Sequence, residues 1–270
     1  MTDVQAESKH GRIIGAVIQN ESGIDLDAAF QMLNEFAVEG AFAAAHALID
    51  TVKKQSPQAS GWLSEVRSAI AYRPAAWDGA ASSASGRLHP VQALRPLQAL
   101  LDAHPESVFI SDGGEIGQWA QACLHAPHRV INGVAGSIGA ALPFAVAARV
   151  AQRDAPIVAV MGDGTFGFHP AEIDTAVRYG LPFVLVVGND ARWNAEYQIQ
   201  VREYGRDRAK GCELLPARYD QVAAAFGGYG ELVTEANEVL PAARRAQASR
   251  LPACLNIMID GLAAPNIKRT

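Results

Sequence analysis

Cysteine is scarce in this 270-residue chain: Cys123, Cys212 and Cys254 are the three, and no two form a C-x-x-C pair. Zinc-ribbon and dithiol redox chemistry therefore have no footing in the sequence. Basic residues are also too few to build a nucleic-acid surface. The net charge is −5, and the nearest basic run, residues 202–210, is interrupted by Glu203 and Asp207. No apolar stretch reaches membrane-spanning length, and the N-terminus is polar and acidic, unlike a signal peptide. A soluble, cytoplasmic protein with no nucleic-acid or membrane partner is expected. What the chain does have is apolar mass, 49% of its residues, enough for one large domain or two small ones.

The pattern along the chain changes character once. Residues 1–12 read as disordered and 13–18 as a short strand or docking segment. Residues 25–54 read as a helix broken near Gly40, and 62–72 as a second short helix. Residues 73–86, rich in Ala, Ser, Gly and Pro, read as a linker. Beyond it, 108–111 and 129–131 read as short strands, and the runs at 157–161, 183–187 and 255–259 as further strands. Helical spacing is seen at 91–103, 115–124, 137–151, 171–179, 219–226 and 235–249. Strands alternating with helices imply parallel β-α-β units wound right-handed. The expected fold is therefore α/β, a parallel sheet flanked by helices. A helical N-terminal extension with its linker is expected over residues 1–85 and the α/β domain over 86–270.

Two polar clusters follow two of these runs: Gly162-Asp163-Gly164-Thr165 after 157–161, and Asn189-Asp190 after 183–187. Adjacent parallel strands would bring them together at the carboxyl edge of the sheet, where open α/β folds bind ligands. Gly162, Gly164 and Gly167 also satisfy G-x-G-x-x-G, with an acidic residue one strand-helix unit later, which is a dinucleotide fingerprint. Asp163 counts against that reading. A carboxylate about 4 Å from a bare pyrophosphate is repelled by roughly 4 kcal/mol at an effective dielectric of 20. A divalent cation between them turns repulsion into attraction, so the loop suits a metal-bridged diphosphate, with hard oxygen ligands for Mg²⁺. A Walker loop is excluded because no Lys-Ser/Thr follows the glycines, and a plain tight turn would leave the matched Asn-Asp unexplained.

With these residues in place, the chain resembles the diphosphate-binding domain of thiamine diphosphate enzymes, in their acetolactate-synthase-like and 2-hydroxyacyl-CoA-lyase-like branches. The family motif is Gly-Asp-Gly, about two dozen residues, then Asn-Asn. Here Asp163 and Asp190 are 190 − 163 = 27 positions apart. The resemblance covers roughly residues 88–262. It implies that Asp112-Gly113-Gly114, with Glu115, is the upstream loop touching the diphosphate. It implies that Gly136-Ser137-Ile138-Gly139 holds the cofactor bent, with Ile138 as the apolar wedge and the Gly136 carbonyl accepting from the aminopyrimidine. Gly162, Gly164 and Thr165 would line the diphosphate. Asp163 would ligate Mg²⁺ by its side chain, Asn189 or Asp190 would be the second ligand, and the Arg192 carbonyl the third. The family's second Asn is Asp190 here, which adds a negative charge that Mg²⁺ tolerates.

Family members also carry a domain that grips the aminopyrimidine and supplies an activating glutamate. No segment here resembles it. The resemblance thus implies a second polypeptide carrying the pyrimidine-binding domain, in a hetero-oligomer such as a dimer of heterodimers. The alternative is that this chain is a piece of a longer enzyme. The expected activity is C–C cleavage or decarboxylation of 2-hydroxyacyl-CoA or 2-oxo acids. Acetolactate-type carboligation, a dinucleotide oxidoreductase using the Gly162 loop and a non-catalytic assembly subunit are the alternatives. Among other residues, His169 reads first as part of a helix start at Pro170. Trp193 and Tyr197 read equally as channel lining or core. Arg202, Arg206, Arg208 and Lys210 read as a solvated face before a CoA-phosphate site.

Overall fold

A computed structural model describes residues 61–132 and 136–267, together with Asp50. The elements expected at 13–18 and over most of 25–54, and the disorder expected at 1–12, lie outside the described residues. Chain contacts divide the molecule into two compact units, Met1–Arg73 with Arg269–Thr270, and Pro74–Lys268. In the first, the described element is helix α1 (Gly61–Ala71), after which Arg73 Nη1 donates to the Ile70 carbonyl at 2.6 Å.

The second unit opens with a 3₁₀ turn over Ala75–Gly79, followed by α2 (Pro90–Leu94), a 3₁₀ turn over Arg95–Leu97 and α3 (Gln98–Leu101). The imidazole of His89 accepts from Val91 N–H and the Gln92 side chain reaches back to the His89 N–H, with Pro90 at the first helical position. That satisfies donors a helix start leaves open. Then come β1 (Val108–Ser111), α4 (Gly114–Cys123), β2 (His128–Ile131), α5 (Ala141–Ala151), β3 (Ile157–Gly162) and α6 (Asp163–Phe166). They are followed by α7 (Glu172–Arg178), β4 (Phe183–Asn189), α8 (Asn194–Tyr204), α9 (Tyr219–Ala225), β5 (Tyr229–Val233), α10 (Val239–Ala248) and β6 (Pro252–Met258).

The strands form one parallel six-stranded sheet in the order β2-β1-β3-β4-β6-β5. Its inner strands β1, β3, β4 and β6 are apolar but for Ser111, Asn189, Asn256 and glycines, because both faces are covered. Phe109, Val158, Val160, Val184, Leu255 and Ile257 point to one face, against Leu94, Leu97, Trp119 and Ala242. Val108, Ile110, Ala159, Met161, Leu185 and Cys254 point to the other, against Leu142, Ala145, Ile173 and Ala223. Each fully buried Leu, Ile, Val or Phe contributes about 1.5–3 kcal/mol. Cys254 is a core residue, fully buried, and burial pushes its thiol pKa up. Among the described residues no helix is long and apolar enough to cross a membrane.

The segment read as a linker lies, from Pro74 onward, against the α/β unit. The Trp77 ring is 5.2 Å from Trp119, Ser82 Oγ donates to Asp260 at 2.9 Å, and Arg87 Nη1 donates to the Ile259 carbonyl at 2.6 Å. Three elements escaped the sequence reading, one of them α6, which falls on residues read as the Gly162 loop. β5 has no apolar run, only Val233 being buried, and α8 is rich in Gln and charge, with only Asn194 and Tyr197 buried. The helix expected from 137 starts only at Ala141, because Gly136 and Gly139 take φ values of 67° and 89°, outside the helical range.

From β1 the chain steps outward to β2, then crosses back to β3 and continues the other way. The direction reverses between β1 and β3, and the crevice outside their carboxyl ends is where such sheets bind ligands. Gly117 lets α4 close on that point: a Cβ there would stand 2.0 Å from the Asp112 carbonyl oxygen. Gly117→Ala is expected to destabilise the fold by about 1–3 kcal/mol through overpacking, read as a lower midpoint in chemical denaturation. An unchanged midpoint would show that α4 can back away from β1.

Candidate functional site

Strands β3 and β4 are in register with Gly162 beside Gly188, so Asp163 and Asn189-Asp190 leave the sheet side by side. Gly188 is required by close packing, since a Cβ would stand 2.5 Å from Ile116 Cγ1. Asp163 begins α6 and is 2% exposed. Its Oδ1 accepts from Gly164 N–H at 2.9 Å and its Oδ2 from Arg192 N–H at 3.1 Å. One carboxylate thus ties the glycine loop to the loop after β4. Burial raises the Asp163 pKa to about 6. Burial first, and then the charge of Asp163, raises that of Asp190 to about 7, while Arg192 and Arg87 pull it down. Neither carboxylate makes an ion pair among the described residues. Two desolvated acids side by side, only one of them eased by nearby guanidinium charge, are a donor set that a divalent metal would neutralise.

Asn189 is placed differently from the expected ligand. It is fully buried, its Nδ2 donates to the Ala217 carbonyl at 3.0 Å and to Asn256 Oδ1 at 3.1 Å, and its Oδ1 accepts from Ala191 N–H at 3.2 Å. Its amide is spent inside the protein, so of the two candidates only Asp190 faces the cleft. Asn256 in turn donates to Ala217 O and Asp220 Oδ1 at 3.0 and 3.2 Å, and Arg218 Nη2 donates to Asp220 Oδ2 at 2.6 Å. This network pins the end of β4 to β6 and to the start of α9. Among the described residues no group of three His, Cys, Asp or Glu side chains is arranged to hold a metal. The remaining ligands of an ion here would be main-chain carbonyl, water or the oxygens of a bound diphosphate.

The loop after β1 supplies the opposite wall. Asp112 is fully buried. Its Oδ1 accepts from Gly113 N–H at 2.7 Å and Gly139 N–H at 3.0 Å, and its Oδ2 from Ala141 N–H at 2.9 Å. It therefore holds the 136–140 loop against the end of β1. Ile138 lies over Gly113, where a Cβ would come within 2.9 Å of Ile138 Cγ2. His169 Nδ1–H donates to the Gly139 carbonyl at 3.0 Å, which fastens the same loop from α7's side. Thr165 Oγ1 donates to the Gly162 carbonyl at 3.0 Å. The Trp193 ring covers Gly164, where a Cβ would be 2.7 Å from it, and meets Phe168 edge-on at 6.0 Å.

The cleft so formed brings together Gly113, Gly114, Glu115, Ile138, Gly162, Asp163, Gly164, Thr165, Asp190 and Arg192, with Trp193, Asn194 and Glu196 beside them. Gly136 and Ser137 are exposed and do not line it. Glu115 accepts from Ala264 N–H, and Asn194 Nδ2 donates to the Leu262 carbonyl at 3.0 Å, so the segment after β6 borders the cleft. Tyr197 is buried under the Arg192 guanidinium, 4.4 Å from its ring centroid, and so belongs to the support rather than the opening. Arg202 pairs with Glu203 on the surface. The sequence reading missed Asp112 as an anchor, although a strand-end Asp before glycines is the pattern that singled out Asp163. Asn256 gave no signal, because a lone Asn in an apolar strand acquires meaning only from its neighbours.

Comparison with known proteins gives a consistent result. Residues 112–257 match the family described as "Thiamine pyrophosphate enzyme, C-terminal TPP binding domain". Over 177 residues the chain is 37% identical to a probable acetolactate synthase of Mycobacterium bovis, covering 64% of this chain and 32% of that protein. Over 186 residues it is 36% identical to a 2-hydroxyacyl-CoA lyase of Oryza sativa subsp. japonica, covering 63% and 32%. Over 210 residues it is 31% identical to 2-hydroxyacyl-CoA lyase 2 of Homo sapiens, covering 74% and 33%. The chain spans about a third of the length of these curated relatives. In fold it is similar to the thiamine diphosphate-dependent 4-hydroxybenzoylformate decarboxylase of Rhodococcus jostii. There the TM-score is 0.60 at 19% identity, over 67% of this chain and 34% of that one.

The two raised carboxyls predict how stability depends on pH. An unfolded aspartate titrates near 3.8, the folded ones at about 6 and about 7. The folded state therefore holds protons that the unfolded state has lost, and without metal its stability falls as pH climbs through this window and levels above it. Asp190→Asn is expected to melt higher than the parent at pH 8 and to flatten this dependence. Mg²⁺ should raise the parent's melting temperature more at pH 8 than at pH 5. Parallel melting-versus-pH curves for parent and variant would contradict this account.

Proposed function

This chain belongs to the thiamine pyrophosphate enzyme family through its C-terminal cofactor-binding domain, and from that premise we propose that it anchors thiamine diphosphate and Mg²⁺ for a C–C lyase or decarboxylase. The observation that carries the reading is the buried Asp163 beside the half-buried Asp190 at the ends of neighbouring strands, next to a glycine loop, neither in an ion pair among the described residues. In this reading both carboxylates and the Arg192 carbonyl hold the metal. Gly113, Gly114, Glu115, Gly162, Gly164 and Thr165 border the diphosphate. Gly136, Ser137 and Ile138 form the strip against which the cofactor bends, with Ile138 the apolar wedge and Asp112 and His169 keeping that strip in place. The bound thiazolium supplies an electron sink for C–C bond cleavage. The chain's own work is to bind, orient and keep dry. The dinucleotide alternative loses ground, because the matched family binds thiamine pyrophosphate and Asp163 disfavours a bare pyrophosphate.

The substrate class we propose is a 2-hydroxyacyl-CoA or a 2-oxo acid. A second reading, acetolactate-type carboligation, is favoured by the relative named as an acetolactate synthase. In either case the activating glutamate is proposed to come from a pyrimidine-binding domain outside this sequence, on a second polypeptide in a hetero-oligomer. Residues 1–85 are proposed as an N-terminal extension to the domain at 86–270.

Titration calorimetry tests the cofactor claim. Thiamine diphosphate is expected to bind with Mg²⁺ present, to lose binding in excess chelator, and to bind at least about 100-fold more weakly, about 2.7 kcal/mol, to Asp163→Ala. Binding that ignores both chelator and substitution would overturn the metal bridge. Turnover of a 2-oxo acid or a 2-hydroxyacyl-CoA is expected only after a polypeptide with the pyrimidine-binding domain is added. Turnover by this chain alone would refute the second-polypeptide proposal.

A further inference from the structure

A different hollow, of about 360 Å³, opens under the amino ends of β3 and β4, the sheet edge away from the cofactor cleft. Arg149, Arg153 and Arg250 line it, with Gln247 beside them and Leu100 and Phe183 among its apolar walls. A neighbouring hollow of about 380 Å³ shares Arg149 and Arg153. None of these residues takes part in the cofactor site.

Arg149 is the structural centre. It is 8% exposed, and its Nε donates to the Pro182 carbonyl at 2.6 Å. Its Nη1 donates to the Gln152 and Arg153 carbonyls at 2.9 and 2.7 Å. Those bonds fix the guanidinium plane but leave Nη2 without a partner among the described residues, and it is not sealed from solvent. Arg153 and Arg250 are exposed and make no ion pair among the described residues. Asp154 is the one acidic residue on the lining. The carboxyl ends of α5 and α10 also lie here and contribute about half a negative charge each. Three guanidinium charges against one carboxylate and two helix ends leave about one positive charge unbalanced. Capping of α5 accounts for Nη1 of Arg149 and the Pro182 carbonyl for its Nε, but neither accounts for Nη2 or for the two further arginines.

The chemistry selects the ligand class. Guanidinium forks match phosphate oxygens bidentately, and three of them exceed what a carboxylate's two oxygens can engage. The apolar walls add room for an organic body, and the volume falls within the range of about 300–1,000 Å³ usual for small-molecule sites. We propose that this hollow is a binding site for a small organic phosphate, separate from the cofactor cleft and independent of the cofactor assignment.

The test uses the full chain in chelator, with ADP, adenosine and inorganic phosphate as probes. ADP is expected to saturate by calorimetry with Kd below about 1 mM, to be displaced by inorganic phosphate, and to slow phenylglyoxal labelling of Arg153 and Arg250 in peptide mass maps. The double variant Arg153→Ala/Arg250→Ala, at exposed positions, is expected to keep the parent's melting temperature and to bind ADP at least tenfold more weakly. The proposal fails if ADP does not saturate by about 5 mM, if adenosine binds as tightly as ADP, if labelling of these two arginines is not slowed, or if the double variant binds ADP like the parent.

Discussion

Two carboxylates held out of water within reach of one another are the constraint around which this domain is organised. Among the described residues neither Asp163 nor Asp190 makes a side-chain ion pair; burial lifts the pKa of both, and the charge of Asp163 adds to the lift at Asp190. Such an arrangement is costly in isolation. It persists because the surrounding backbone leaves no alternative. Asp163 accepts from the amides of Gly164 and Arg192, and Asn189 is clamped by Asn256 and Ala217. The energy of the sheet, with apolar side chains packed on both faces, is what holds the two acids together.

The glycines serve the same end by closeness rather than flexibility. At Gly113, Gly117, Gly164 and Gly188 a methyl group would collide with Ile138, the Asp112 carbonyl, Trp193 and Ile116 respectively. Each contact brings a wall of the cleft closer to the sheet than any other residue would permit. The third carboxylate, Asp112, is of a different kind. Three amides from two loops satisfy it, so it acts as a buried rivet with most of its acceptor capacity spent inside the protein.

Much of this was readable from residue order. Four of the six strands, β1, β3, β4 and β6, announce themselves as apolar runs, because a strand covered on both faces needs no polar alternation, whereas the edge strand β2 is short and mostly exposed. The Gly162 loop and the Asn189-Asp190 pair could be matched because both follow such runs. β5 and α8 were not readable. The first is only partly buried along its length, and the second keeps its polar residues towards solvent and the cleft rim. Residues 137–140 look helical in composition, yet positive-φ glycines on either side of Ser137 and Ile138 hold them open as a loop. The placement of the loop against Gly113 is visible only once Asp112 and His169 are seen to grip it.

Residue order by itself determined the α/β class, the two strand-end clusters and the family, because these rest on local hydrophobic pattern and on motif spacing. Only the tertiary structure decided which polar residues at those ends are available. It turned Asn189 inward to Asn256 and Ala217, left Asp190 at the cleft, and made Asp112 an anchor. It also gathered Arg149, Arg153 and Arg250, scattered along the sequence, around one hollow. The reason is physical: a side chain's hydrogen-bond partners here come from strands and loops tens of residues away, and no local pattern records which of them will arrive first.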